Sequence, residues 1–273
     1  MDPTLRKYFL VLILVGVAGL SASAVKAQVG MCAIQTGPLQ PDLIVDQAPL
    51  KSEIYLSEEH FSGNDCAVDE NCVTKPGNHL LLRFTTSTPN IGQTALVVGN
   101  PAACLDTLFF EFSMCHQHYH YHGYTAYRLW TEAGYQRWIA SRNLQMPTSA
   151  GINRALLDAA EANGDLTVGR KQGFCLEDSR PYPINGNPPG PAVYQSCGTN
   201  QGLSVGWADV YSADLPCQYV QITGISEGNY VLENQVNPDQ VFPESDYTNN
   251  STAVRLYIRP HHGNIPALLQ VLE

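Results

Sequence analysis

Charge is scarce in this chain. Only 15% of its 273 residues are Asp, Glu, Lys or Arg, where an ordinary soluble domain carries about a quarter. With 22 Gly and 18 Pro beside that low charge, the composition suits a β-rich, loop-rich exported protein better than a helical bundle. Basic residues are the scarcer sign, and the net charge of −10 argues against nucleic acid as the main partner. It suits a basic or amine-bearing one, although acidity also simply serves solubility. Beyond the first thirty positions no segment reaches the ~20 apolar residues that crossing a bilayer takes. No C-x-x-C pair occurs, so the cysteines do not read as a zinc ribbon.

What is present begins with "MDPTLRKYFLVLILVGVAGLSASAVKAQVG". Arg6 and Lys7 make a basic start, Tyr8 to Leu20 an apolar stretch, and Ala22-Ser23-Ala24 or Val25-Lys26-Ala27 a small-residue cleavage site. This reads as a secretory signal over 1–27, followed by a soluble, exported chain with no membrane attachment after cleavage. The alternative is an uncleaved anchor. All 8 cysteines lie beyond it: Cys32, Cys66, Cys72, Cys104, Cys115, Cys175, Cys197 and Cys217. An even count in an oxidising compartment suggests four disulfides, with Cys115 alternatively a thiolate ligand.

Along the chain, "QPDLIVDQAPL" and "NHLLLRFTTSTPNIGQTALVVG" predict short strands split by turns. "FFEFSMCHQHYHYHGYTAYRLW" predicts another extended pair with Gly123 near its middle. Residues 146–166 are the best helical stretch, amphipathic from Ile152 to Ala162 and closed by Asn163-Gly164. Residues 180–194 form a Pro/Gly loop. From Cys217 onward the pattern is strand, a turn at Glu227-Gly228, strand, then a turn and a last strand in "ESDYTNNSTAVRLYI". No internal repeat or linker divides the chain, so 28–273 reads as a single mainly β, β-sandwich-like domain with minor helix, stapled by disulfides.

The densest chemistry is "CHQHYHYHG" (115–123), which spends half of the 8 histidines on alternate positions. On an extended strand His116, His118, His120 and His122 would project on one side, about 6.5–7 Å apart. Three neutral imidazoles suit copper, zinc or nickel rather than a hard cation. A hydrolytic zinc site of the His-x-His-x-Asp-His kind would need Asp at 120 or 121, and the chain has His and Tyr there.

Around that stretch, "PDLIVD" (41–46), "CAVDENCV" (66–73), "LLLRF" (80–84), "KQGFCLED" (171–178), "QGLSVGWADVYSADLPCQYVQIT" (201–223), "PESDYTNN" (243–250) and "HHG" (261–263) follow in order. In that set the chain resembles the lysyl oxidase family, copper-dependent amine oxidases that build a quinone from their own side chains. The resemblance covers about 41–263 and implies that His116, His118 and His120 ligate copper, and that Lys171 and Tyr211 cross-link into lysine tyrosylquinone. It implies oxidative deamination of peptidyl-lysine or other primary amines by molecular oxygen, yielding aldehyde, ammonia and hydrogen peroxide. Asp209, two positions before Tyr211 and thus on its strand face, is the candidate base. The competing expectation is a non-catalytic secreted metal-binding or adhesion module with the same fold. Retention of Lys171, Tyr211 and the three histidines together favours the enzyme.

The resemblance further implies the pairs Cys66–Cys115, Cys72–Cys217 and Cys175–Cys197, which leaves Cys32 and Cys104 to each other. It implies a calcium site of Asp42, the Leu43 carbonyl, Glu244, Asp246, Asn249 and Asn250, where the alternative is an acidic turn held by its own side chains. Asn249-Asn250-Ser251-Thr252 also contains two overlapping glycosylation sequons. Departures from the animal members are Ser113 in place of a further histidine, the extra His122, and a longer 131–168. A cysteine bridge is also lost, its positions taken by Ser179-Arg180-Pro181 and Trp207.

Overall fold

The computed structural model describes residues 38–101, 110–144, 150–171 and 173–272. The signal-like stretch, Cys32 and Cys104 lie outside them. Among the described residues fifteen strands form several antiparallel sheets, accompanied by four helices, so the chain is mainly β with minor helix, as its composition predicts. All described residues belong to one unit, Met31–Glu273.

The largest sheet runs β15 (Leu268–Val271), β14 (Ser251–Arg259), β13 (Gly228–Val236), β7 (Thr125–Thr131) and β8 (Leu166–Val168). A second joins β1 (Ile54–Phe61), β2 (Gly77–Phe84) and β12 (Tyr219–Gln221). Leu82 and Phe84 of β2 share one buried cluster with Leu129, Leu232 and Leu256 of the large sheet, and Phe84 meets Tyr127 edge-on with centroids 5.0 Å apart. Alternation turns Leu81 the other way, into a cluster with Phe61, Tyr219 and the Cys72–Cys217 pair. A third sheet sets β11 (Trp207–Tyr211) between β3 (Thr86–Pro89) and β9 (Arg180–Pro181). The β4 (Leu96–Gly99) and β10 (Gln201–Leu203) strands pair separately, as do β5 (Phe110–Ser113) and β6 (His118–Tyr121).

Two expectations need correction. "DLIVDQAPL" contributes only a single bridge at Leu43 and then α1 (Gln47–Ser52), because Asp46 accepts the Ala48 N–H as an N-cap. The helix α2 (Cys66–Asp69) is similarly capped by Asp65. The lengthened 131–168 region holds α4 (Ala150–Ala162), close to the expected span, and also α3 (Glu132–Leu144), which was not anticipated. Thr131 Oγ1 accepts the Gly134 N–H at 3.0 Å and starts α3. Trp138 of α3 stacks on Trp130 at 5.3 Å. The buried Glu233 carboxylate takes both indole N–H groups, at 2.9 and 3.2 Å, which satisfies a charge that would otherwise be costly to bury.

Candidate functional site

The histidine stretch is a hairpin rather than one continuous strand. β5 ends at Ser113, residues 114–117 turn, and β6 starts at His118. Gln117 takes a left-handed φ of 56° to make the turn. The turn is tied by the Gln117 N–H to the Ser113 carbonyl at 2.8 Å and the His116 N–H to Ser113 Oγ at 3.0 Å. Strand alternation therefore places His118 and His120, whereas His116 arrives from the turn. The three rings still gather, with centroids 4.9 to 5.8 Å apart. Nε2 of His118 and Nε2 of His120 face each other at 3.1 Å.

Burial, ahead of the neighbouring charges, lowers the pKa of both His118 and His120, the latter to about 4. Both rings are thus neutral at physiological pH, the form that ligates a metal. His116 turns its Nε2 to Glu70 Oε2 at 3.2 Å, and Glu70 Oε1 also receives the Ser113 hydroxyl at 2.6 Å. His122 stands apart, 3.2 Å from Glu111 Oε2. Two facing neutral imidazole nitrogens with a third ring beside them fit a borderline metal such as copper.

The hairpin is braced by the Cys66–Cys115 disulfide, and Cys72–Cys217 and Cys175–Cys197 pair as the resemblance implied. Cys115 is therefore not a thiolate ligand. Glu70 and Glu177 each lie close to two cysteines, but those sulfurs are spent in disulfides.

The loop after β8 brings a lysine to the same cleft, whose volume is about 690 Å³. It is hooked onto β6 by a two-way bridge, Tyr121 N–H to the Phe174 carbonyl at 2.6 Å and Phe174 N–H to the Tyr121 carbonyl at 3.2 Å. Gly173 lies so near His120 that a Cβ would collide with its ring. Lys171 Nζ sits 5.2 Å from the centroid of the Tyr211 ring and donates to the Pro216 carbonyl at 3.3 Å. Burial, only partly offset by Glu70 and Asp209, lowers the Lys171 pKa to about 8.

Tyr211 closes β11 and is buried. Its hydroxyl donates to the Cys175 carbonyl at 2.8 Å and accepts the Cys175 N–H at 2.7 Å. Phe174 meets the ring edge-on, with centroids 5.2 Å apart. Asp209, on the same strand face, is 2% exposed, takes the Ser179 hydroxyl on Oδ1 at 3.3 Å and leaves Oδ2 without a partner. Burial pushes its carboxyl well above the usual range, with the Tyr211 hydroxyl opposing.

Pro181 pairs directly opposite Trp207 across β9 and β11. The Trp207 indole donates to the Gly190 carbonyl at 3.0 Å. A strand ladder thus ties the two segments together here.

The acidic turn forms a second cluster. Glu244 accepts the Leu43 N–H at 2.6 Å and the Asn237 and Asn250 amides at 2.6 and 2.7 Å, and the Asn249 amide donates to Asp42 at 2.8 Å. Burial raises the Glu244 pKa to about 7. The side-chain oxygens of both Asn249 and Asn250 are buried without hydrogen-bond partners. Asp246, near the surface, accepts from the Thr248 N–H and hydroxyl, both at 2.7 Å. Asn250 is only 2% exposed, which leaves no room for a glycan on it.

Sequence reasoning missed Glu70, Gly173 and Phe174, all inside motifs it had quoted. The signal for Gly173 was its place two residues after Lys171. Glu70 gave none beyond its nearness to Cys66 and Cys72.

A mainly β, disulfide-braced scaffold thus gathers imidazoles, a half-buried amine and a buried phenol into one cleft. The lysyl oxidase family model matches residues 41–140 and 154–266, and the interruption falls within the α3–α4 insertion. The chain is similar to the protein-lysine 6-oxidase of Gallus gallus, 30% identical over 232 residues covering 81% of this chain and 46% of that protein. Identity to the Sus scrofa protein of the same name is 28% over 232 residues, covering 81% of this chain and 78% of that one. Human lysyl oxidase homolog 1 is 30% identical over 225 residues, covering 79% of this chain and 33% of that protein. This chain therefore belongs to the lysyl oxidase family, and it spans less than half the length of the chicken and human relatives.

Proposed function

We propose that the chain is a secreted copper- and quinone-dependent amine oxidase, deaminating peptidyl-lysine or other primary amines to aldehydes with release of ammonia and hydrogen peroxide. The observation that carries this reading is Lys171 Nζ held 5.2 Å from the Tyr211 ring centroid, in the cleft that the histidines line. His116, His118 and His120 would hold the copper. When formed, a lysine tyrosylquinone supplies the electron sink that takes two electrons from the amine, with molecular oxygen as the final acceptor.

This chain's own residues prepare that chemistry. Lys171, titrating at about 8, keeps a share of neutral, nucleophilic amine near neutral pH. The Cys175 peptide and the Phe174 ring fix the Tyr211 ring while the lysine approaches it. Asp209, whose Oδ2 has no other partner, is the atom that would receive the α-proton of the amine. Its raised pKa makes it a strong acceptor once ionised.

Calcium would be held by Asp42, the Leu43 carbonyl, Glu244, Asp246, Asn249 and Asn250. The two unpartnered amide oxygens are the feature that supports a hard cation there. Among the described residues no helix is long and apolar enough to cross a membrane. Export rests on the signal-like first 27 residues and on the disulfides.

The test is peroxide and ammonia release by copper-reconstituted, oxygen-exposed protein offered a primary amine, with Lys171→Ala as comparison. Equimolar products lost in Lys171→Ala support the oxidase. Intact copper binding with no product from any amine supports the non-catalytic module.

A further inference from the structure

Glu70 stands between two disulfides, after Cys66 and just before Cys72. Cys66 is bonded to Cys115, the residue before His116, and Cys72 is bonded to Cys217. The Glu70 backbone closes α2, its N–H donating to the Cys66 carbonyl at 2.9 Å. Two covalent links and a helix end thus set this carboxylate beside the turn that carries His116.

Both carboxylate oxygens are engaged there. Oε1 takes the Ser113 hydroxyl at 2.6 Å, and Oε2 takes His116 Nε2 at 3.2 Å. Ser113 Oγ in turn accepts the His116 N–H at 3.0 Å, which closes a ring of carboxylate, hydroxyl, peptide and imidazole. Ser113 is buried, and the Glu70 and His116 side chains are only 24% and 23% exposed, which strengthens these bonds. A carboxylate oxygen only accepts, so His116 Nε2 carries a hydrogen, and the lone pair of the neutral ring lies on Nδ1.

The two strand histidines are set the other way. Nε2 of His118 faces Nε2 of His120 at 3.1 Å, and the lysine loop at Gly173 lies against the Nδ1 side of His120. We propose that Glu70 is the positioning residue of the metal site: it fixes His116 to ligate through Nδ1, while His118 and His120 ligate through Nε2. The inference rests on the reading that these histidines hold a metal, and not on the quinone. A metal-bound imidazole commonly donates its other N–H to a carboxylate, which sets the ring's direction and makes its ligating nitrogen more basic. A carboxylate that merely tied the hairpin together would leave the choice of nitrogen free.

The test loads the full chain, carrying isotope-labelled histidine, with zinc, a diamagnetic ion that takes the same imidazoles. A long-range proton–nitrogen correlation spectrum reports which nitrogen of each ring binds and which keeps its hydrogen. Two rings should bind through Nε2 and one through Nδ1, and the Nδ1-bound ring should be the one missing from His116→Asn. Glu70→Leu should lose the Nδ1-bound signal and weaken zinc and copper binding roughly 10–100-fold in a chelator competition. Glu70→Gln, whose amide oxygen still accepts, should keep the pattern. If all the rings bind through Nε2, the wild type alone overturns the proposal, whether or not Glu70→Leu folds. A folded Glu70→Leu protein that keeps its Nδ1-bound ring overturns it too. No zinc-dependent shift in any of the rings contradicts the metal reading as well. The expected pattern in a protein that releases no peroxide from any amine upholds the assignment and counts against the oxidase reading instead.

Discussion

Gly173 lies flat against the imidazole of His120, so closely that a methyl group at 173 would collide with the ring. The lysine loop and the histidine hairpin are therefore positioned as one unit, joined by the Tyr121–Phe174 bridge next door. Gly173→Ala should displace His120 and weaken copper binding by roughly 10–100-fold, the range typical of lost ligand support. A chelator competition titration measures it, with circular dichroism confirming the fold. Unchanged affinity would show that the contact is incidental.

Lys171 provides a pH signature. Its folded pKa of about 8 lies below the ordinary lysine value of 10.5 because burial penalises the charged form. The neutral amine, which is the nucleophile, therefore increases as pH rises through about 8. The rate of Lys171–Tyr211 cross-linking should follow that rise. The stability sign agrees: the unfolded chain holds its proton between 8 and 10.5 when the folded one does not, so burial of Lys171 destabilises below about 8 and relaxes as pH rises. Copper-free Lys171→Met should accordingly melt higher than wild type at pH 7, read by calorimetry.

Asp209 should trade stability for activity. Its carboxyl is raised by burial and Oδ2 has no partner. A raised carboxyl contributes stability below its unfolded pKa and loses that contribution as pH rises toward the folded value, so ionising it costs the fold. Asp209→Asn should raise Tm at neutral pH by roughly 2–4 °C and lower amine turnover by about 10²–10⁴-fold. A variant with full turnover would remove Asp209 from the chemistry.

Calcium should stabilise the turn at Glu244. Added to dialysed protein it should raise Tm, because it satisfies the buried oxygens of Asn249 and Asn250. The rise should be larger at pH 8 than at pH 6, since Glu244 binds its proton below about 7 and the ion must displace it. Asp42→Ala should abolish the increment. No shift at either pH would favour the self-bonded acidic turn.

The candidate metal-binding histidines could be read from their spacing within one short stretch. The pairs Cys66–Cys115, Cys72–Cys217 and Cys175–Cys197 were legible only through the family resemblance, since their partners lie 49, 145 and 22 positions apart. Local pattern was less able to show where the chain bends. Period-two histidines suggested one strand, but Ser113 and the left-handed Gln117 fold the first of them into a turn. The α3 helix escaped notice because its docking relies on Trp138 and a distant Glu233 rather than on a regular apolar face. Glu70 approaches His116 across 46 positions, a distance that spacing does not encode.

The central claim is a covalent bond between two side chains. Full-length protein, loaded with copper in the presence of oxygen and then digested, should yield one peptide in which Lys171 is joined to the ring of Tyr211. The same treatment of Lys171→Ala should leave the Tyr211 peptide unlinked. Recovery of separate, unmodified Lys171 and Tyr211 peptides from the copper-loaded wild type would contradict the account.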